Sequence, residues 1–136
     1  MIEGLACIAL AVYFEARGEP IAGQLAVAQV ITNRVKHDRY PNTPCEVIKQ
    51  GPTYHGTAHP LKHRCQFSFY CDGRPERVTD MSAWRTAERV ARTSVQTLID
   101  VTEGAIYYHS VEVSPRWKYT MNVTVRIGRH IFYKEN

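Results

Sequence analysis

The chain opens with two apolar helical patterns that are separated by a short helix-breaking sequence. In the first pattern, hydrophobic residues recur at helical spacing at Leu5, Ile8 and Val12. This pattern predicts a helix from about Glu3 to Arg17 that ends at Gly18. Pro20 favours the first turn of a second helix, which is expected to run down to Lys36. The segment therefore predicts a tight helix-turn-helix.

The second predicted helix has a broad apolar face. Its apolar residues at helical spacing are Ile21, Leu25, Ala28, Ile31 and Val35. A helix with so wide an apolar face is expected to be central and buried. Asn33 and Arg34 mark its polar end.

Between His37 and Asp80 the chain changes character. Prolines and glycines recur there, and no hydrophobic periodicity is sustained. Only a short helical turn at Cys45–Gln50 is predicted. A long connection without regular structure is unusual in a compact domain unless it serves a function, so this segment is expected to build the walls of a cleft.

The remainder of the chain predicts a third helix followed by β-structure. Asp80 or Ser82 can cap this helix, which is expected to end near Asp100. Its shared apolar face consists of Trp84, Ala87, Ala91 and Leu98. The β-rich segments are Ala105–His109, Val123–Ile127 and His130–Tyr133, the last two flanking a Gly128-Arg129 turn. The predicted fold class is α+β, mainly helical with a small C-terminal antiparallel β element.

Length and composition indicate an ordinary globular protein. The 136 residues suit one domain spanning 1–136, and no apolar run is long enough to cross a membrane. The net charge of +4 favours an anionic partner. Because the positive residues are scattered, a polyanionic substrate is favoured over sequence-specific nucleic-acid binding. The N-terminal apolar stretch lacks a basic region, so we expect synthesis in the cytoplasm without a classical signal peptide.

The four cysteines are too few for a dense disulfide framework. Cys7 lies beside the apolar stripe of the first helix and is expected to be a small buried hydrophobe. Among the other three, one disulfide is possible, with Cys45 pairing to Cys65 or to Cys71. The sequence does not choose between these pairings.

Glu15 occupies the next position on the core-facing stripe of the first helix, where another hydrophobe is expected. Burial raises the pKa of a carboxyl group because it penalises the charged form, so Glu15 is a candidate general acid. The alternative is an ion pair with Arg17 or Arg34. Glu19 follows the helix break, where the dipole of the second helix favours its charged form, and is expected to be mainly structural.

The motif around Glu15 carries a family resemblance. The sequence blocks concerned are Phe14-Glu15-Ala16-Arg17-Gly18-Glu19-Pro20, residues 23–35, Tyr40-Pro41, residues 45–48, residues 65–69, Tyr107-Tyr108-His109, Trp117 and residues 127–133. Together they resemble the cell wall hydrolase family typified by spore-cortex-lytic enzymes of the SleB type. The first block is specific, whereas the later ones are weak alone.

The resemblance implies a lysozyme-like domain that cuts the β-1,4 bond between N-acetylmuramic acid and N-acetylglucosamine in peptidoglycan. By position in the family motif, Glu15 is the acid. Some members are lytic transglycosylases, which need no second carboxylate, although Glu19, Asp72 and Asp80 are possible partners here. We expect the enzyme to use no cofactor or metal and to act on glycan strands as a monomer, without nucleic acid or membrane insertion. The expected lack of a classical signal peptide favours a phage or prophage lysis enzyme (endolysin).

Two segments supply candidate substrate-binding residues. Between Cys65 and Cys71, polar and aromatic residues alternate, which suits a cleft wall; the candidates there are Gln66, Phe67 and Ser68. Strand alternation places Tyr107 and His109 on one face, which with Trp117 could line subsites. The alternatives are aromatic core packing for the first segment and edge-strand packing for the second. Arg17 and Arg34 could hold carboxylates of the substrate or pair with Glu19.

The sequence leaves three other functional classes open. Cysteines and histidines in the middle segment suggest a zinc site, but their spacing is irregular; they are Cys45, Cys65, Cys71, His55, His59 and His63. Cys65 or Cys71 could form a nucleophilic pair with His109, although no activating motif supports it. A non-catalytic module that binds cell wall or another polyanion predicts salt-dependent binding without released products.

Overall fold

The computed structural model describes residues 4–51, 53, 62, 65–74 and 76–136. The helices are α1 (Leu5–Ala16), α2 (Ile21–Val35), α3 (Pro44–Ile48) and α4 (Met81–Gln96). The strands are β1 (Tyr107–Ser110), β2 (Met121–Ile127) and β3 (His130–Glu135), and single 3₁₀ turns lie at Ser68–Cys71 and Arg116–Thr120. The predicted α+β class with a small C-terminal antiparallel sheet is thus confirmed.

The helix break forms as the sequence predicts. Arg17 leaves helical geometry, and Gly18 adopts a left-handed conformation at φ 94° that a residue with a Cβ rarely takes. At the other end of the helical part, the Asp80 carboxylate accepts a hydrogen bond from the Ala83 N–H at 3.0 Å and so caps α4. The chain thus marks these helix boundaries with local chemistry.

Helices α1, α2 and α4 pack against one another around the main apolar core. Its fully buried members include Ile8, Val12, Ile31, Val47 and Ala91. Two predictions about the apolar faces are wrong. Ile21 is 60% exposed because it lies in the first turn of α2, and Leu98 is fully exposed because α4 ends at Gln96. The described residues contain no helix with the length and apolarity needed to cross a bilayer.

The sheet has the strand order β1-β3-β2, with both pairings antiparallel. Gly128 forms the β2–β3 turn at φ 58°. One face of the sheet packs on α2, where Phe132 meets Val27 and Val30. Tyr108 belongs to this inner face and touches both apolar cores. The sheet therefore brings a tyrosine of β1 to the helical layer.

The cysteine pairing differs from both predicted alternatives. Cys7 forms a disulfide with Cys45, and Cys65 forms one with Cys71. The first bridge joins α1 to α3, so Cys7 is a cross-link and the prediction of a simple buried hydrophobe is wrong. The sequence could not show this because the approach of α3 to the start of α1 depends on the tertiary fold. Residues 52, 54–61, 63–64 and 75, which belong to the predicted cleft wall, lie outside the described part of the chain.

Candidate active site

Glu15 lies in the last turn of α1, one step along the helix face from the fully buried Val12. Its side chain is only partly accessible. Loss of hydration raises the pKa of the Glu15 carboxyl from 4.5 to about 7. At neutral pH a substantial fraction of this group is therefore protonated, as a general acid requires.

Two groups from distant parts of the chain reach the Glu15 carboxyl. The Tyr108 hydroxyl and the backbone of Ser68 both lie within hydrogen-bonding reach, and both interactions lower the carboxyl pKa. They oppose the larger effect of desolvation without cancelling it. The pKa of Tyr108 itself is raised well above its usual value by burial and by the neighbouring Glu15. Tyr108 thus stays a neutral hydroxyl that can donate a hydrogen bond.

Tyr108 is held by a set of rings on the inner face of the sheet. Its ring centroid lies 5.0 Å from that of His130, 5.7 Å from that of Phe132 and 6.5 Å from that of Phe67. Tyr108 was not among the site residues predicted from the sequence, although alternation along β1 could have identified it. A residue between two that share one face must point to the other face.

Arg34 is buried behind Tyr108, with 3% of its surface exposed. Its guanidinium group donates a hydrogen bond to the Ile106 carbonyl at 2.7 Å and lies over the rings of Tyr40, Phe67 and Tyr107. Burial lowers its pKa. Arg34 therefore does not pair with Glu19 or Glu15, and it is too deeply buried to bind a carboxylate of a ligand. The contacts that the structure describes for Arg34 are therefore with the protein itself.

Arg17 is exposed and contacts its own helix. Its guanidinium donates to the Tyr13 hydroxyl and lies over the Tyr13 ring. The same hydroxyl accepts hydrogen bonds from the backbone N–H groups of Thr79 and Asp80. Tyr13 thereby ties the start of α4 to α1, and Arg17 is part of that junction.

The three other candidate carboxylates each accept a structural hydrogen bond from the backbone. Glu19 accepts a hydrogen bond from the Arg129 N–H at 2.8 Å and lies 3.8 Å from the His130 ring nitrogen. It thus joins the start of α2 to the β2–β3 turn. Asp72 accepts from the Arg74 N–H, and Asp80 caps α4. None of these contacts involves Glu15.

The segment between Cys65 and Cys71 approaches Glu15 through its middle. Phe67 is 1% exposed and packs in the core, so the prediction that it binds a sugar is wrong. Gln66 and Ser68 are exposed, and the Ser68 backbone contacts Glu15. Phe69 stacks on Phe14, the residue beside Glu15, with ring centroids 5.2 Å apart.

Tyr107, His109 and Trp117 form an aromatic cluster with Tyr133. Trp117 lies 5.1 Å from Tyr107 and 5.6 Å from His109, measured between ring centroids. The buried His109 is hydrogen-bonded to the Tyr133 hydroxyl at 2.7 Å. These residues share the sheet face opposite to Tyr108, as alternation predicts. The structure therefore brings the three candidates together, but on the other side of the sheet from the residue that reaches Glu15.

Cysteine chemistry is excluded by the two disulfides. A thiolate is needed both to ligate zinc and to act as a nucleophile, and all four sulfurs are paired in two disulfide bonds. The hypotheses that used Cys45, Cys65 or Cys71 in these roles are therefore wrong. Within the described residues, no group of three His, Cys, Asp or Glu side chains is placed to hold a metal ion. His55, His59 and His63 lie outside that part of the chain.

Comparison with known proteins identifies related sequences. A family model described as Cell Wall Hydrolase matches residues 18–133. The chain is 34% identical over 131 residues to the spore cortex-lytic enzyme of Bacillus cereus and 33% identical over 129 residues to that of Bacillus subtilis. These matches cover 93% and 92% of this chain but only 42% and 35% of the relatives. The chain thus spans about two fifths of the curated relatives' length.

Two solved structures share the fold. The catalytic domain of the germination-specific lytic transglycosylase SleB from Bacillus anthracis is 31% identical, with a TM-score of 0.74. That match covers 98% of this chain and 96% of the other. The catalytic domain of the Bacillus cereus SleB protein gives a TM-score of 0.66 at 32% identity, covering 96% and 89% of the two chains. The agreement confirms the predicted fold over nearly the whole chain.

Proposed function

Because this chain belongs to the Cell Wall Hydrolase family, we propose that it is a peptidoglycan lytic transglycosylase in which Glu15 is both acid and base. The single observation that carries the proposal is the partly buried Glu15 carboxyl, whose pKa is raised to about 7. The family match begins at residue 18, so the assignment of Glu15 rests on the geometry of the site and on the motif. The proposed substrate is peptidoglycan, the polymer implied by the family.

The proposed reaction proceeds in two proton transfers. Glu15 first donates its proton to the oxygen that joins the muramoyl C1 to the next sugar, and the C1–O bond breaks as that sugar leaves with the proton. The muramoyl 6-hydroxyl oxygen then bonds to C1, and its proton passes to the Glu15 carboxylate. The product is a 1,6-anhydromuramoyl end, and Glu15 is protonated again. No water is consumed and no second carboxylate is required.

The surroundings of Glu15 suit both halves of this cycle. Desolvation favours the protonated acid before the bond breaks. Tyr108 and the Ser68 backbone favour the carboxylate that forms afterwards. Because these effects oppose each other, the pKa lies near neutrality instead of rising further. A group near pH 7 can both give and take a proton efficiently.

The mass of the soluble products tests the reaction type. Sacculi digested by the protein should release muropeptides with anhydromuramoyl ends, each one water lighter than the corresponding reducing product. Mass spectrometry before and after chemical reduction separates the two, because an anhydro end is not reduced. Reducing ends as the main product would mean hydrolysis. Binding to sacculi without any released muropeptide would instead support the non-catalytic module.

Removing the Tyr108 hydroxyl should move the pH dependence of the reaction. In Tyr108→Phe the Glu15 carboxylate loses a hydrogen-bond donor, so its pKa rises. The basic limb of the pH–activity profile, where activity falls as Glu15 loses its proton, therefore moves to higher pH. The rate should fall about tenfold, the scale of one hydrogen bond to a charged group. Tyr119→Phe is the matched control because that side chain is exposed. If the basic limb of Tyr108→Phe does not move, the Tyr108 hydroxyl does not act on the Glu15 carboxyl during the reaction.

The disulfides bear on where the enzyme works. Disulfides persist in oxidising surroundings, so Cys7–Cys45 and Cys65–Cys71 favour action outside the cytoplasm. The curated relatives are spore cortex-lytic enzymes, and they lend no support to the phage lysis enzyme expected from the sequence. The proposed setting is therefore a cell wall of the cortex kind. Gln66 and Ser68, both exposed and the second beside Glu15, are the proposed contacts to the glycan.

A further inference from the structure

Three consecutive residues of the Cys65–Cys71 segment touch the surroundings of Glu15. Phe67 packs against Tyr108, with ring centroids 6.5 Å apart. The Ser68 backbone reaches the Glu15 carboxyl. Phe69 stacks on the ring of the residue before Glu15, at 5.2 Å and an interplanar angle of 18°. The segment thus contacts the Glu15 carboxyl, the preceding residue Phe14 and the Tyr108 ring.

This segment has little regular structure of its own. It contains one 3₁₀ turn, Ser68–Cys71, within which the Tyr70 N–H donates to the Phe67 carbonyl at 3.1 Å. A single turn of this kind is not stable by itself in water. At its start, the Gln66 N–H donates to the Gln50 carbonyl at 3.0 Å. The Cys65–Cys71 disulfide closes the segment at both ends and so limits the positions that Ser68 can take.

We propose that the Cys65–Cys71 disulfide is a positioning element for Glu15, so that its reduction switches off most peptidoglycan cleavage at neutral pH. The inference rests on the proposed role of Glu15 as the acid. In the reduction, a dithiol reductant gives two electrons and two protons to the sulfurs, the S–S bond breaks, and the reductant becomes a disulfide. The enzyme is then most active where the bridge is oxidised, outside the cytoplasm.

The physical link is the hydration of the carboxyl. When the bridge is open, residues 67–69 can move off Glu15 and water takes their place. Because desolvation is the largest cause of the raised pKa, the pKa falls from about 7 toward 4.5. Losing the Ser68 hydrogen bond would by itself raise the pKa of Glu15. Water molecules donate hydrogen bonds to the carboxylate in its place, so the pKa still falls. Less of the acid is protonated at pH 7, and the rate falls.

Other titratable groups near Glu15 are few among the described residues. Tyr108 on β1 faces the carboxyl directly. Arg34 on α2 and His130 on β3 lie behind Tyr108. Arg17 follows on α1 but turns back to Tyr13. None of these groups belongs to the Cys65–Cys71 segment. Opening the bridge therefore affects Glu15 by moving the segment and by changing the hydration of the carboxyl.

The second disulfide is a matched control within the same chain. Cys7 lies eight residues before Glu15 on α1, about 12 Å away along the helix axis. Its partner Cys45 is on α3, and no α3 group is among those that shift the pKa of Glu15. Opening this bridge is expected to lower stability without altering the surroundings of the carboxyl. Comparing variants that lack one bridge or the other thus distinguishes a general loss of stability from a specific effect on the Glu15 site.

The test compares the double variants Cys65→Ala/Cys71→Ala and Cys7→Ala/Cys45→Ala with the unmodified protein. Each is assayed for muropeptide release from sacculi between pH 4.5 and 8, with circular dichroism to check folding at the assay temperature. The first variant should lose about tenfold or more at pH 7, retain much more of its activity at pH 5, and show a basic limb at lower pH. The second should keep the basic limb of the unmodified protein.

Reduction by dithiothreitol in the Cys7→Ala/Cys45→Ala variant isolates the remaining bridge. Activity at pH 7 should fall on reduction and return on reoxidation while the helical signal is unchanged. A basic limb that does not move when the bridge is opened, or global unfolding on reduction, would overturn the inference. An oxidised, unmodified protein that releases no muropeptides would instead refute the proposed function, so the two failures are distinguishable.

Discussion

Replacing Glu15 with glutamine is expected to lower muropeptide release from sacculi by roughly a thousandfold, within the range attributed to general acid–base catalysis. Glutamine has nearly the same shape but carries no acidic proton, so it can neither protonate the leaving oxygen nor accept the proton of the 6-hydroxyl. The assay is the release of soluble products at pH 6, where most of the Glu15 carboxyl is protonated. Activity within tenfold of the unmodified protein would refute the assignment of Glu15.

Glu19→Gln is the matched control, because it makes the same change four residues later in the same motif. The glutamine side-chain oxygen can still accept the hydrogen bond from the Arg129 N–H, so the junction between α2 and the β2–β3 turn should persist. We expect activity within a few-fold of the unmodified protein. A loss as large as that of Glu15→Gln would show that Glu19 acts as a second carboxylate in the reaction.

The same Glu15→Gln variant is expected to be more stable than the unmodified protein at pH 8, by about 3 kcal/mol. The folded state raises the pKa of Glu15 from 4.5 to about 7, so it binds the proton more tightly than the unfolded state does. Below pH 4.5 both states are protonated and the charge costs nothing. As the pH rises through about 7, the folded protein must hold a poorly hydrated carboxylate, which glutamine avoids.

Urea unfolding from pH 4 to 8 measures this difference. The gain in the free energy of unfolding should be near zero at pH 4, grow between pH 4.5 and 7, and level off above pH 7. Glu76→Gln serves as the control because its side chain is exposed, and it should show no such growth with pH. A pH-independent difference between Glu15→Gln and the unmodified protein would contradict the raised pKa. The expected growth with pH would show that the buried Glu15 carboxyl lowers the free energy of unfolding at neutral pH.

The helix break at Gly18 and the start of α4 at Asp80 were the features of the fold that sequence predicted best. Gly18 and Asp80 act through their own conformation or their own side chain, so their effect is visible in a few neighbouring residues. The errors at Ile21 and Leu98 have a different origin. Periodicity identifies the face of a helix that points to the core, but it does not show how far along that face the neighbouring elements extend.

The candidate site was predicted less completely than the fold. Strand alternation correctly placed Tyr107 and His109 on one face, but it could not tell which face meets the helices. The residue that reaches Glu15 is Tyr108, between them. Phe67 was misassigned because an aromatic residue in a loop can turn to a cleft or to the core. The cysteine pairing was missed because it depends on contacts between residues distant in sequence.

The amino-acid sequence by itself determined that a carboxylate would stand on the core-facing side of α1, immediately before a helix break. That follows from helical periodicity, a local property of the chain. Only the tertiary structure decided what surrounds the carboxylate: Tyr108 from the sheet and the backbone of Ser68 from a disulfide-closed turn. The pKa of Glu15 depends on the atoms that replace water around it, and those atoms come from segments that only the packed fold brings together.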